Sequence, residues 1–148
     1  MDDNRPPIFR LMNEIGIIAQ LSSALMNRTL PDGLHVSHFG VLSHFMRLGD
    51  GKTPLALARA FQVSKGTMTH TLNTLAKRGF VRFEAHESDG RSKLVFITDE
   101  GREFFGKAIA DLMPTMGKFQ QLIDMDQVLE ILPTLEHLRK VLDENRDI

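Results

Sequence analysis

The chain has 148 residues and a formal net charge of −1 at pH 7, and 42% of its residues are hydrophobic. This length suits one globular domain, and the absence of cysteine excludes disulfides, thiolate zinc sites and oxidant sensing by a cysteine. No apolar run approaches the roughly 20 residues that span a bilayer, and Met1 to Asp3 is not the basic start of a signal peptide, so we expect a cytoplasmic protein.

A first helix is predicted from Ile8 to about Asn27. Its apolar side chains recur at alternating gaps of three and four residues, as in a helix that packs along another helix. They are Ile8, Leu11, Ile15, Ile18 and Leu25, and Ser22 occupies the one position of this pattern that is not apolar. Pro31, Asp32 and Gly33 then break the chain.

A second helix is predicted from about Ser37 to Leu48, before a glycine-rich break. Its inward side chains are expected to be Phe39, Leu42, Phe45 and Met46. Three histidines lie in or beside it: His35, His38 and His44. A zinc site needs ligands that converge on one point, and His44 is nearly two turns from the other two. The alternative is that His35 and His38 line the groove between this helix and the first.

The third helix is short and has clear end signals. Thr53 is suited to cap it, and Pro54 to occupy its first position, where no N–H is needed. Its buried side is expected to consist of Leu55, Leu57, Ala58 and Phe61. Only a few residues separate it from the next helix, and among them Val63 is expected to be a buried apolar plug. Two helices joined this tightly form a helix-turn-helix.

The fourth helix begins at Ser64, whose hydroxyl can accept a hydrogen bond from the N–H of Thr67. A period of 3.6 residues places its apolar side chains on one face and its polar residues on the opposite face. The apolar face holds Met68, Leu72, Leu75 and Ala76, and the polar face holds Gly66, His70, Asn73 and Lys77. Cations and Gly79 end the helix.

Two strands follow, from Phe80 to Ala85 and from Ser92 to Thr98, with a turn-forming run from His86 to Arg91 between them. A helix-turn-helix followed by such a hairpin is a winged helix. Residues 52–93 contain eight Lys and Arg against three Asp and Glu, a net of +5, so the remainder of the chain carries −6. The basic charge is therefore concentrated in the winged helix, as in nucleic-acid-binding segments.

Two further helices are predicted after the wing. Thr98 can cap the fifth, in which Pro114 predicts a kink or a break. Asp124, with Gln127 three residues later, starts the last helix, which Pro133 is expected to bend. The apolar side chains of the last helix again alternate gaps of three and four residues: Val128, Ile131, Leu135, Leu138 and Leu142.

The first and last helices each carry an apolar stripe that the winged-helix core does not need. Apolar surface of this kind is usually buried against a partner, which predicts a homodimer formed through both ends of the chain. The alternative is that the two helices pack on each other within one subunit.

A set of short motifs runs through most of the chain. They are Leu30 to Leu34, Leu57-Ala58, Val63-Ser64, Thr67-Met68-Thr69, Leu75 to Val81, Asp89-Gly90-Arg91 and Ile97 to Gly101. Together they resemble the MarR family of bacterial transcription regulators, and the wing Asp-x-Arg followed by Ile-Thr-x-x-Gly is the most specific part.

The resemblance implies a mainly α fold with a small β-wing, that is, a winged helix-turn-helix with N- and C-terminal dimerisation helices. We expect a single domain, 1–148, in which 1–34 and 99–148 are dimerisation helices and 35–98 is the DNA-binding lobe. The implied function is that of a homodimer that binds a palindromic operator in double-stranded DNA, usually as a repressor.

DNA binding is expected of the fourth helix and the wing. The major groove admits one helix, asparagine suits adenine, and a threonine methyl can meet a thymine methyl. In the family the wing arginine reaches the minor groove and the aspartate helps to hold the loop; for a lone Asp-Gly-Arg the alternative is a solvated hairpin tip. The expected DNA-binding residues are Ser64, Lys65, Gly66, Thr67, Thr69, His70, Asn73, Thr74, Lys77, Arg82, Asp89, Arg91 and Lys93. His70 stands where relatives often have arginine, which argues against guanine readout there.

The resemblance also implies that a small molecule, of aromatic or phenolic type, releases the DNA. It would lie between the dimerisation helices and the DNA-binding lobe and would favour one spacing of the two recognition helices over another. The expected lining residues are Met12, Ile15, His35, His38, Phe39 and Arg47. No cofactor and no metal is expected.

Other function classes fit less of the pattern. An enzyme is not expected, because no nucleophile elbow, phosphate loop or metal-ligand motif is present. A winged helix used only for protein contacts would be insensitive to duplex DNA and to changes at Asn73 or Arg91. A DNA-binding regulator without an effector remains a further alternative.

Overall fold

The structure, a computed structural model, describes residues 4–88 and 90–147. Its elements follow in the order α1 (Pro7–Thr29), α2 (Val36–Leu48), α3 (Pro54–Phe61), α4 (Lys65–Lys77), β1 (Val81–Ala85), β2 (Lys93–Ile97), α5 (Asp99–Gln120) and α6 (Met125–Glu144). The predicted architecture, mainly α with a two-stranded wing after a helix-turn-helix, is confirmed.

The chain divides into two compact units. The first ends at Asp111 and contains α1 to α4, both strands and the first part of α5, while the second begins at Leu112 and contains the rest of α5 and α6. In the part of the chain that the structure describes, no helix is both long and apolar enough to span a bilayer.

The core of the first unit lies where α2, α3 and α4 meet the hairpin. Leu42, Leu57 and Leu75 are fully buried, one from each helix. Each such side chain contributes about 1.5–3 kcal/mol relative to an exposed one. The two strands close this core with the buried residues Val81, Val95 and Ile97. The helix-turn-helix and the wing therefore share one hydrophobic core, which fixes α4 relative to the hairpin.

Side-chain caps start the helices at the predicted positions. The Thr53 hydroxyl accepts from the N–H of Ala56 at 3.1 Å, and the Ser64 hydroxyl accepts from the N–H of Thr67 at 3.1 Å. At the other end of α4, Gly79 has a φ of +75°, a left-handed conformation that glycine adopts without strain. Gln62, with a φ of 54°, makes the corresponding turn after α3.

The wing is an antiparallel hairpin with Val81 opposite Ile97 and Ala85 opposite Lys93. Both strands are slightly shorter than predicted, since Phe80, Ser92 and Thr98 lie outside them. On its other edge β2 pairs with the segment before α3, where the N–H of Val95 donates to the Lys52 carbonyl at 2.9 Å. This bridge ties the wing to the start of the helix-turn-helix.

Three predicted core positions are wrong. Met46 in α2 is 44% exposed and Leu55 in α3 is 45% exposed. Val63, between α3 and α4, is also exposed. The buried stripe of α2 is His38, Val41, Leu42 and Phe45, so Met46 lies about 90° away from the centre of the buried face. Its apolarity alone is not enough to predict burial.

The two prolines lie within continuous helices. α5 runs through Pro114 to Gln120, so the predicted alternative of a break there is wrong. Proline removes one backbone hydrogen bond, and the helix continues on both sides of it. α6 begins after Asp124, whose side chain accepts from the N–H of Asp126 at 3.0 Å, and it contains Pro133.

Candidate nucleic-acid interface

The fourth helix has one buried and one exposed face. Met68, Leu72 and Leu75 lie in the core, and Thr71 joins them because its hydroxyl donates to the Thr67 carbonyl at 3.1 Å. The exposed residues are Lys65, Gly66, Thr67, Thr69, His70, Asn73 and Lys77. The polar side of α4 therefore faces solvent, as the sequence predicts.

Some hydroxyls on α4 are already engaged by the helix itself. Thr67 Oγ1 accepts from Ser64 Oγ at 2.9 Å, and Thr74 Oγ1 donates to the His70 carbonyl at 3.1 Å. Within residues 4–88 and 90–147, the Asn73 amide and the His70 imidazole make no hydrogen bond. These two side chains are available to an external partner, whereas Thr74 is half-buried and bonded to its own helix.

A small cleft of about 150 Å³ separates α4 from the wing. Thr69 and Asn73 line its α4 side, and Phe83 and Lys93 line its wing side. The Lys93 ammonium lies 5.7 Å from the centre of the Phe83 ring, a distance at which cation and ring attract each other. Residues that the sequence assigned separately to the helix and to the wing thus meet at one surface.

The two predicted cations on the strands have different surroundings. Arg82 forms an ion pair with Glu84, and its guanidinium lies 4.7 Å from the centre of the Phe96 ring. Part of its charge is therefore compensated within the wing. Lys93 is exposed on the neighbouring strand.

The wing tip is held by a histidine that sequence analysis did not single out. The N–H of His86 donates to the Ser92 carbonyl at 3.0 Å, and His86 Nδ1 accepts from the N–H of Ser88 at 3.2 Å. Arg91 lies exposed in this turn, while Asp89 lies outside the described residues. A polar run of this kind carries no periodic signal, so the role of His86 could not be read from the sequence.

Comparison with known proteins matches this geometry to one family. Residues 32–92, from the loop before α2 to the wing, match the MarR family model. The apo structure of E. coli MarR is 25% identical, with 95% of this chain and 98% of that chain covered and a TM-score of 0.72. Over residues 32–92 the chain resembles the MarR family. Members of this family are transcription regulators, not enzymes.

Two further solved MarR structures are similar. A cysteine-to-serine variant of E. coli MarR, complexed with operator DNA, is 25% identical, covers 91% of this chain and 94% of its own, and has a TM-score of 0.69. A MarR transcriptional regulator from Methanosarcina mazei Go1 is 22% identical, covers 88% of this chain and 94% of its own, and has a TM-score of 0.76. The MarR fold thus extends well beyond the segment that matches the family model.

The MarR-like Ile-Thr-x-x-Gly motif has a structural explanation. Thr98 Oγ1 accepts from the N–H of Gly101 at 3.0 Å and donates to the Gly79 carbonyl at 2.5 Å. The hydroxyl therefore caps α5 and also holds the turn that follows α4. Gly101 is buried, and a Cβ built on it would lie 2.2 Å from the Phe80 carbonyl oxygen. Only glycine fits this close approach of α5 to the end of α4.

Only some of the residues expected to bind an effector line the cavity that α1, α2 and α3 form in the described part of the chain. An open cavity of about 330 Å³ lies between the end of α1, α2 and the end of α3. Phe39 and Arg47 line it, but Met12, Ile15, His35 and His38 do not. Phe39 also stacks on Phe105 of α5, with ring centres 5.0 Å apart.

His38 has a structural role at the start of α2. It is only 6% exposed, and its Nδ1 accepts from the N–H of His35 at 2.9 Å. The proton of the neutral ring is then on Nε2, which is buried without a hydrogen-bond partner among the described residues. Burial lowers the pKa of His38, and the neighbouring His35 lowers it further. The ring is a helix cap inside the core rather than a wall of a groove.

The alternative of a zinc site at these histidines gains no support. In residues 4–88 and 90–147 there is no group of three or more His, Asp or Glu side chains placed to hold a metal ion. His35 and His38 have ring centres 5.9 Å apart, whereas His44 packs against Phe61 at 5.3 Å.

Proposed function

We propose that this chain is a sequence-specific DNA-binding transcription regulator that acts as a homodimer on an inverted-repeat operator, as a repressor. The observation that carries the proposal is the exposed polar face of α4, which is capped at Ser64 and fixed to the wing by a shared core. The E. coli relative complexed with operator DNA supports it.

The chemistry of α4 suits the major groove. One α-helix fits into that groove, where an asparagine amide can donate to and accept from the edge of adenine. The Asn73 amide has no hydrogen-bond partner in the part of the chain that is described, so it can supply this contact. Lys65 and Lys77 lie exposed at the two ends of the helix and suit the flanking phosphates.

The N-terminus of α4 offers a further phosphate contact. Ser64 and Gly66 lie where backbone N–H groups and the positive end of the helix dipole attract an anion. Gly66 is exposed, so its backbone can be approached closely.

In the wing, Arg91 and Lys93 are proposed to contact the minor groove and the phosphates beside it. A narrow minor groove concentrates negative potential, which attracts an inserted guanidinium. We expect Arg82 to contribute less than Lys93, because Glu84 already compensates its charge.

The dimer is proposed to form through residues 1–34 and 99–148, with 35–98 as the DNA-binding lobe. α1 and α6 each lack a buried residue, and both carry exposed Ile and Leu side chains, among them Ile18, Leu21, Leu129 and Ile131. Exposed apolar side chains that are clustered along a helix usually mark an interface. Within this proposal a small aromatic or phenolic molecule would release the operator by favouring one spacing of the two recognition helices.

Selection of bound fragments from random duplex DNA tests the proposed function. We expect an inverted repeat with half-sites about one helical turn apart. Arg91→Ala should weaken binding to the selected duplex and reduce the slope of log affinity against log salt by about one. Lys107→Ala, which removes one exposed charge from α5, is the matched control and should leave that slope unchanged. A pool without twofold symmetry would refute the palindromic operator, and no enrichment at all would favour a winged helix that contacts only protein.

A further inference from the structure

Arg78 directly follows α4 and is not among the proposed DNA-binding residues. Its guanidinium donates a hydrogen bond to the backbone carbonyl of Asp32, in the loop between α1 and α2. Among residues 4–88 and 90–147, no other side-chain hydrogen bond joins α4 or the residue after it to this loop. The end of the proposed recognition helix is therefore bonded directly to the segment that leaves α1.

The loop that accepts this hydrogen bond is a tight turn. The N–H of Leu34 donates to the Pro31 carbonyl at 3.0 Å, and Gly33, the third residue of the turn, has a φ of +81°. A positive φ at the third residue defines a type II turn, and glycine adopts it without strain. The Asp32 carbonyl takes no part in the bond that closes the turn and accepts from Arg78 instead.

The same glycine leaves room for the guanidinium. A Cβ built on Gly33 would lie 3.0 Å from Nη2 of Arg78. The pKa of His38, at the start of α2, is lowered mainly by burial, and Arg78 is among the nearby charges that lower it further. The Arg78 side chain thus lies against the turn and beside the start of α2. A larger residue at position 33 would disturb both the turn and its hydrogen bond.

The position of α1 depends on this loop. The helix itself buries none of its residues. The loop after it is anchored by Leu30 and Leu34, which are 9% and 2% exposed, and Asn27 Oδ1 accepts from the N–H of Val36 at 2.7 Å. Because so much of the attachment lies in and beside the turn, a change in its conformation would change the direction of α1 relative to α4.

We infer that Arg78 is a positioning residue, which holds the end of α4 to the turn after α1 and thereby sets the distance between the two recognition helices. The inference rests on the proposed homodimer, in which α1 contributes to the interface and α4 enters the major groove. In such a dimer the direction of α1 relative to α4 decides where the two copies of α4 lie. Successive base pairs are about 3.4 Å apart along the duplex, so a small change in this distance alters the preferred half-site spacing.

The distance between the two recognition helices can be measured without DNA. The chain has no cysteine, so Lys65→Cys, at the exposed start of α4, takes one spin label per chain and two per dimer. We expect double electron–electron resonance to give a narrow distribution of label-to-label distances. In the Arg78→Gln background the distribution should shift or broaden by about 2 Å or more, the scale of helix shifts between subunits.

A second substitution disturbs the same hydrogen bond without removing a charge. Gly33→Ala should change the distance distribution as Arg78→Gln does. Gly49→Ala is the matched control, because Gly49 has a φ of +85° and a Cβ there would meet no atom within 4 Å. Lys77→Gln removes the neighbouring charge and should also leave the distribution unaltered. An unchanged distribution in Arg78→Gln, or equal changes in Gly33→Ala and Gly49→Ala, would overturn the inference.

Duplexes of altered half-site spacing test the consequence for DNA binding. We expect the unaltered protein to bind the selected inverted repeat at least about tenfold more tightly than duplexes one base pair longer or shorter between the half-sites. In Arg78→Gln this ratio should fall about threefold or more. Equal weakening at every spacing, with a smaller salt slope, would show that Arg78 contacts phosphate and would overturn the positioning role. If no inverted repeat is selected, the proposed function fails, whereas the spin-label distances still decide the role of Arg78.

Discussion

At the scale of single residues, the hydrogen bond that His38 accepts at the start of α2 requires a neutral imidazole ring. Its Nδ1 must be unprotonated to accept from the N–H of His35. Burial is the largest cause that lowers the pKa of His38, and the nearby His35, His70 and Arg78 lower it further, whereas a backbone hydrogen bond to His35 raises it. No acidic group contributes to the shift. The histidine is thus held neutral by its place in the fold.

The stability of the protein should therefore depend on pH below neutrality. The pKa of His38 is lower in the folded chain than in the unfolded chain, so the unfolded state binds the proton more readily. The contribution of neutral His38 to the free energy of unfolding is fully present above about pH 6.5 and is lost as the pH falls below that value. We expect the free energy of unfolding, from urea titrations, to fall between about pH 7.5 and pH 5.5.

Two variants assign that pH dependence. His38→Asn retains an acceptor near the position of Nδ1 but does not titrate, so the fall in stability should be smaller. Some fall should remain, because burial also lowers the pKa of His44. His137→Asn, at an exposed position of α6, should keep the full dependence. An unchanged dependence in His38→Asn would contradict the assignment.

At the scale of elements, α5 approaches the turn that follows α4 at Gly101 but not at Gly106. Substitution of these two glycines by alanine should therefore change stability in opposite directions. Gly101→Ala should lower the free energy of unfolding by about 1–3 kcal/mol, because its Cβ would overlap the Phe80 carbonyl at 2.2 Å. Gly106→Ala meets no atom within 4 Å and should raise that free energy by up to about 1 kcal/mol through helix propensity. Urea denaturation of both variants measures the contrast. Equal effects would mean that α5 does not approach α4 as described.

The elements of the winged helix could be predicted because their signals are local. Ser64 and Thr98 cap the helices that their positions indicate, and both hydroxyls make the expected hydrogen bonds. Met46 and Leu55 are exposed although their spacing predicts burial, because periodicity gives the width of an apolar face but not its centre. The tertiary contacts around α2 decide that centre.

The candidate sites could be predicted only in part. The exposed face of α4 follows from 3.6-residue spacing, whereas the pairing of Arg82 with Glu84 depends on side-chain conformation in the hairpin. His38 is buried and accepts a hydrogen bond at the start of α2, whereas residue type alone places histidine between the mostly buried and the mostly exposed residues. The cavity lined by Arg47 and Phe61 lies between three helices. The sequence pattern of any one helix therefore does not reveal it.

At the scale of the whole molecule, the exposed apolar side chains of α1 and α6 are the basis of the proposed homodimer. We expect light scattering after size-exclusion chromatography to give twice the mass of one chain at micromolar concentration. Ile131→Glu should weaken the dimer about tenfold or more, because a carboxylate would be buried in the interface. Leu55→Glu is the matched control, since Leu55 is 45% exposed on α3 and Ile131 is 53% exposed on α6. A mass of one chain for the unaltered protein would refute the homodimer.

We propose that the exposed face of α4 reads base edges in the major groove. The most direct measurement is the affinity of Asn73→Ala for the duplex recovered by selection, by fluorescence anisotropy at fixed salt, with Asn145→Ala at the end of α6 as the control. Loss of one base contact should weaken binding to the selected duplex about five- to a hundredfold. Binding to unrelated duplexes should not weaken to the same extent, because they do not offer this contact. Unchanged affinity of Asn73→Ala for the selected duplex would contradict the claim.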